Sequence, residues 1–230
     1  MTEPIDQGEA ALAPLVPLEA IEARVLGCLV EKAAITPEVY PLTENAVLAA
    51  CNQKTSRDPV MQLEVGAVAR ALRTLEGKGL VRVAPVSQRA LRYEHRFDII
   101  YGTTARQRAV LCVMLLRGPQ TLAELLSRCE RLASFPSLED VRDTLERLVA
   151  REPPLAVCLG RAAGQREDRY MHLLAGPVDI EAWSATPAPP AAAGRADLLE
   201  RVERLEGEVR ELRTELEALR SQQHATPGGP

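Results

Sequence analysis

Apolar positions along the chain recur with two periods, one of helices and one of strands. Ile21, Val25, Leu26, Leu29 and Val30 predict a buried helix from Leu18 to about Ala33, ended by Thr36-Pro37. Tyr40-Pro41-Leu42 leads into a second helix, N-capped by Thr43, holding Val47 and Leu48 and running to about Asn52. A polar loop from Asn52 to Pro59 follows. A third helix starts near Glu64 and carries Val65, Val68, Leu72 and Leu75 on one face, then stops at Gly77-Lys78-Gly79. The period then falls to two. Leu80 to Val86 and Ala90 to Phe97 read as a hairpin, with Leu91, Tyr93, His95 and Phe97 inward and Arg92, Glu94 and Arg96 outward.

The same order recurs further on. Thr104 to Arg117 is a strongly apolar helix, Thr121-Leu122-Ala123-Glu124 is a capping box, and Ser137 opens a helix to about Arg151. Leu155 to Leu159 and Arg169 to Leu174 read as strands. Val68-xxx-Leu72-xx-Leu75 is echoed by Val141-xxx-Leu145-xx-Leu148, Pro41-x-Thr43 by Pro119-x-Thr121, Arg92-Tyr93-x-His95 by Arg169-Tyr170-x-His172, and Arg24-xxx-Cys28 by Arg108-xxx-Cys112. Four echoes in one order predict a tandem repeat. The expected fold class is mainly α with small β-hairpins (α+β): two winged helix-turn-helix domains, residues 18–100 and 101–175, behind a disordered tail over 1–17.

A Pro/Ala-rich linker is expected over 176–196, a coiled-coil helix over 197–221 and a second disordered tail over 222–230. In the helix Leu198, Leu205, Leu212 and Leu219 share one heptad position, and Val202, Val209 and Leu216 the other. That pattern favours a parallel homodimer. The flanking pairs Arg201–Glu206, Glu208–Arg213 and Glu215–Arg220 are all opposite in sign. The alternative is a single amphipathic helix folded back on its own chain.

Composition narrows the class further. Aromatic residues make up only 3% of the 230 residues, so cores must be built from Leu, Val and Ala. The net charge of -4 is uneven: residues 50–100 hold 9 basic and 5 acidic side chains, whereas residues 1–49 hold 2 and 8. A basic centre between acidic ends permits nucleic-acid binding without demanding it. The five cysteines form no C-x-x-C pair and suggest buried thiols in a reducing compartment. The acidic N-terminus resembles no signal peptide, and the longest apolar run, Ala109 to Leu116, is too short for a bilayer. A cytoplasmic protein with no membrane partner is expected.

Cys51-Asn52-Gln53-Lys54 and Arg57-Asp58-Pro59-Val60 resemble the signature of the YceH family of bacterial proteins. The likeness extends to Arg24-Val25-Leu26-Gly27-Cys28-Leu29, Tyr93-Glu94-His95-Arg96-Phe97, Leu115-Leu116-Arg117-Gly118-Pro119-Gln120-Thr121 and Arg169-Tyr170-Met171-His172-Leu173. It covers about Leu18 to Gly176. The resemblance implies tandem winged helices and often a C-terminal coiled segment. It implies no activity, and DNA binding only by analogy of fold.

Two sets of residues are candidates for function. Arg70, Arg73 and Lys78 lie off the apolar stripe of the third helix, where a recognition helix meets the major groove, and Arg82, Arg89, Arg92 and Arg96 continue the positive charge onto the hairpin. The loop residues Asn52, Gln53, Lys54, Arg57 and Asp58 offer donors for phosphates or bases, or serve as loop architecture. The matching helix of the second repeat mixes Arg142 and Arg147 with Asp143 and Glu146, a poor groove reader. His95 and His172 fall on the apolar side of their strands and, with His224, make no metal site. No nucleophile elbow, P-loop or zinc-protease motif is present, so neither an enzyme nor a cofactor is expected. Double-stranded DNA is the expected partner through the first repeat. A protein-interaction adaptor, in which the loop at Asn52 to Asp58 docks a protein partner, is the alternative.

Overall fold

The computed structural model describes residues 16–85, 90–161 and 164–185. Hydroxyl side chains set the starts of four helices. Thr43 Oγ1 accepts from the Ala46 N–H at 3.3 Å, opening α2 (Glu44–Cys51). Thr104 and Gln107 form a reciprocal capping box at α5 (Ala105–Arg117), and Thr121 and Glu124 do the same at α6 (Leu122–Cys129). Ser137 accepts from the Asp140 N–H at α7 (Leu138–Val149). Each bond satisfies a backbone donor that the first helical turn leaves unpaired. The remaining helices are α1 (Ala20–Ile35), α3 (Val65–Gly77), α4 (Phe97–Tyr101) and α8 (Ile180–Ala185).

The same order of elements occurs twice, in an α+β fold. In the first half β1 (Leu42–Thr43), β2 (Val81–Val83) and β3 (Arg92–His95) form an antiparallel sheet in the order β1-β3-β2, with Leu42 opposite Tyr93. In the second half β4 (Ala156–Gly160) pairs with β5 (Arg169–His172), and Gln120 makes a single bridge to Tyr170 where β1 would lie. The sequence echo has a mechanical counterpart. Arg92 Nη1 donates to the Pro41 carbonyl at 2.7 Å, and Arg169 Nη1 donates to the Pro119 carbonyl at 2.9 Å. In each half the arginine ties the last strand to the turn before the second helix.

The two central helices are α1 and α5, and they pack on each other. Every residue of α1 from Glu22 to Glu31 is buried, as is every residue of α5 from Ala109 to Leu116. Both helices are enclosed by the fold, and the charged residues within the buried stretch of α1, Glu22, Arg24 and Glu31, each have hydrogen-bond partners. The buried residues of both halves form one cluster, from Leu18 through Leu75 and Leu111 to Leu174. Gly27 sets the helix contact: a Cβ there would lie 2.9 Å from Leu116 Cδ2 and 3.2 Å from Leu115 Cβ. Its carbonyl also accepts from Cys112 Sγ at 3.4 Å. Gly27→Val is therefore expected to lower stability by about 1–3 kcal/mol through overpacking. Urea denaturation measures it; an unchanged midpoint would mean that the helices part easily there.

Several expectations need correction. The hairpin strands are shorter than predicted, because Phe97 starts α4 instead of ending a strand. Arg96 N–H still donates to Leu80 O at 2.7 Å, and the chain turns after it. Phe97 and Tyr101 then bury edge to face, 4.8 Å between centroids. Leu91, expected inward, is 60% exposed. The short helix α8 falls within the expected linker. Four cysteines are buried, whereas Cys158 is exposed. Arg89, the tail over 1–15 and the heptad residues Leu198 to Leu219 lie outside the described residues. Among the described residues no helix is long and apolar enough to cross a membrane.

Candidate functional site

The conspicuous polar stretch, Asn52 to Asp58, is pinned from below by charge buried in α1. Arg57 is buried, and all five of its N–H donors are engaged. Nη1 and Nη2 form a bidentate pair with Glu31 at 3.0 and 2.6 Å. Nε donates to Ala50 O at 3.1 Å, Nη1 also to Ser56 O at 2.8 Å, and Nη2 also to Gln53 Oε1 at 2.9 Å. Burial is the largest single influence and works against the charged guanidinium, but the bonds to Glu31 together with the charges around it hold the Arg57 pKa above its ordinary value. Arg24, also buried, donates to Cys51 O at 3.3 Å and Pro59 O at 2.6 Å. Burial lowers its pKa.

The loop residues divide accordingly. Asn52 accepts from the Leu63 N–H at 2.8 Å and donates to the Leu63 carbonyl at 2.9 Å, closing the loop on itself. Asp58 uses its backbone N–H on Leu116 O at 2.9 Å, which ties the loop to α5. The carboxylate of Asp58 and the ammonium of Lys54 point to solvent. Arg24 and Glu31, which hold the loop, were not candidates in the sequence. The available signal was a charged residue at each end of the apolar run of α1.

The predicted cations on α3 and the hairpin also divide. Arg70 and Arg73 are exposed and make no side-chain hydrogen bond or ion pair among the described residues. Lys78 departs from the expected solvent-facing role: Nζ donates to Glu22 Oε2 at 2.6 Å and to Pro17 O at 2.7 Å. Arg92 is engaged with the Pro41 carbonyl as described above. Arg82 is 62% exposed but pairs with Glu94 across the hairpin. Arg96 is half-buried, with Nε enclosed and without a partner. The exposed surface of α3 carries Arg70 and Arg73, one turn apart, with Val65 and Gly66 before them and Thr74, Glu76 and Gly77 after. The apolar face of the same helix, Val68, Leu72 and Leu75, is buried.

The second half presents no equivalent pair. On α7, Arg142 lies 3.6 Å from Glu139, and Asp143 and Glu146 are exposed beside it. His95 lies in β3 and His172 in β5. Among the described residues no group of three or more potential ligands is placed to hold a metal ion.

Residues 18–165, more than half of the chain, match the family described as "Protein of unknown function, DUF480". The chain belongs to the DUF480 family. It is 56% identical to a UPF0502 protein of Mesorhizobium japonicum over 202 residues, covering 88% of this chain and 96% of that protein. A UPF0502 protein of Xanthomonas campestris is 52% identical over 213 residues, covering 90% and 95%. A third, from Stenotrophomonas maltophilia, is 50% identical over 218 residues, covering 92% and 99%. The DUF480 match begins at Leu18 and takes in the whole of the Arg24–Glu31–Arg57 anchor and the exposed face of α3.

Proposed function

We propose that each half is a winged helix-turn-helix and that the first binds double-stranded DNA, with α3 in the major groove. The observation that carries this reading is the pair Arg70 and Arg73. Both are exposed and unpartnered on a helix whose other face is buried, while Lys78 and Arg92 are engaged within the protein. Arginine is suited to guanine edges and to phosphates. The paired helices and the antiparallel hairpin supply a rigid support for such a helix. A coiled coil over 197–221 would place two copies of α3 in one complex.

Fluorescence anisotropy of labelled duplexes at several salt concentrations tests the reading. The full set of sequence candidates would allow ~4–6 phosphate contacts and a slope of roughly 4–5. With Lys78 and Arg92 engaged internally, log affinity is expected to fall with log salt at a slope of roughly 2–3 per protomer. Arg70→Ala with Arg73→Ala should weaken binding about tenfold or more, with the melting temperature unchanged. Affinity equal to wild type would remove α3 from the interface.

A second reading is supported by exposed Val60 and Val65 at the entry to α3. Apolar side chains there suit a protein partner better than a phosphate backbone. In that case the chain is an adaptor, and its partners survive nuclease treatment of the lysate.

A further inference from the structure

A second basic site lies away from α3. A cleft of about 300 Å³ opens where the C-terminal ends of α1, α5 and α6 meet the loop after α2. Lys32, Arg117, Arg128 and Arg131 line it, with the loop residues Thr55 and Ser56. Its one acidic residue, Glu31, forms the bidentate pair with Arg57 and lies 3.6 Å from Lys32 Nζ. Arg117 is half-buried and makes no side-chain hydrogen bond or ion pair among the described residues. Arg131 is equally unpartnered and exposed. Arg128 is held in place by Gln120 and lies 3.7 Å from Glu124. The hydroxyls of Thr55 and Ser56 likewise make no bond within the described residues.

A cation in the last turn of a helix commonly offsets the helix dipole, and Lys32, Arg117 and Arg128 each occupy such a place. That accounts for one charge per helix. It does not account for the convergence of all three, with a fourth cation and two free hydroxyls, on one concave surface. Of the four cations Lys32 lies 3.6 Å from Glu31 and Arg128 3.7 Å from Glu124, which leaves Arg117 and Arg131 without an acidic partner; burial, then the guanidiniums of Arg128 and Arg57, lower the Arg117 pKa. An anion in the cleft would relieve that repulsion. Beside the cations the wall is apolar, from Ile35, Val113 and Leu116. The volume is at the small end of ligand sites.

We propose that this cleft binds a small phosphorylated metabolite with an apolar body. Arg117 is the inner anchor, and Arg131 and Lys32 close over the phosphate from the mouth. Thr55 and Ser56 donate to its remaining oxygens, and the body of the ligand lies on Ile35, Val113 and Leu116. A tetrahedral dianion accepts from several directions at once, which suits planar guanidinium forks and hydroxyls together. Because Ser56 and Arg57 are neighbours, a ligand here would touch the loop that Arg57 anchors.

The probe is phenyl phosphate, titrated calorimetrically into the full-length protein at constant ionic strength, with inorganic phosphate as comparison. Saturable binding is expected, tighter for phenyl phosphate than for inorganic phosphate. Arg117→Gln with Arg131→Gln should weaken it about tenfold or more while leaving the melting temperature of the free protein unchanged, since neither side chain has an internal partner. Arg70→Ala with Arg73→Ala should leave it intact. No saturable binding by the wild type would overturn the proposal. So would binding that survives the Arg117/Arg131 change, or that disappears with Arg70 and Arg73, because the phosphate would then be sitting on α3. Equal affinity for the two probes would overturn the assignment of the apolar wall.

Discussion

Arg57→Ala is expected to destabilise the protein by about 3–5 kcal/mol, the usual result of removing one partner from a buried ion pair. Five hydrogen bonds disappear together, and the buried carboxylate of Glu31 keeps only the looser contact with Lys32 at 3.6 Å. The Ala50 carbonyl at the end of α2 loses its bond to Nε as well. Glu31→Gln should cost less, because an amide retains one acceptor and carries no charge. Replacing both, as Arg57→Met with Glu31→Leu, should recover much of the loss, since neither charge then remains in the interior. Lys54→Ala, in the same loop but exposed, should change stability by no more than about 0.5 kcal/mol. Urea denaturation followed by circular dichroism gives all four values. A cost for Arg57→Ala below that of Lys54→Ala would show that the loop does not depend on its buried anchor.

Acidification should weaken the fold before the carboxylates titrate. Burial pushes the His172 pKa down to about 4, and burial followed by the charge of Arg108 does the same to His95. An unfolded chain has histidines near the ordinary value of about 6.5. Between those limits the unfolded state binds the protons and the folded state refuses them. Stability is therefore full above about pH 6.5 and falls as the pH drops toward 4. From pH 6.5 to 5 the loss is roughly 2 kcal/mol for His172, which is 3% exposed, and less for half-buried His95. Melting curves of wild type and His172→Leu across that range should diverge, the variant falling less steeply. Parallel curves would mean that His172 takes up its proton without unfolding.

Local chemistry made much of this fold legible. A hydroxyl before an apolar run marks a helix start: Thr43, Thr121 and Ser137 cap helices as read, and Thr104, read only as the start of a helix, caps one too. The stripe of α3 was legible because period alone places Val68, Leu72 and Leu75 on one face. Partners distant in sequence were not legible. Arg57 pairs with a residue 26 positions earlier, Lys78 with one 56 earlier, and Arg92 with a carbonyl 51 earlier. From sequence each reads as a cation facing water, and only the fold reveals the acceptor. Alternation misplaced Phe97 for a related reason: its burial suits a strand or the first residue of a helix equally well. The anion cleft had no sequence signature, because its four cations come from three separate helices and the turn after α6, and the exposed loop residues are ordinary hydroxyls.

The shared interior also bears on where the polypeptide can be divided. On a linear map the stretch between the repeats, near Phe97 to Thr104, looks like the natural place for a protease site, a tag or a truncation. In the folded molecule Phe97 and Tyr101 are buried there, and α1 of one half rests on α5 of the other. A fragment ending at residue 100 would leave the α5-facing side of α1 wet, and one starting at 101 would uncover Cys112, Leu115 and Leu116. The two halves share one hydrophobic core, so neither keeps its interior dry without the other.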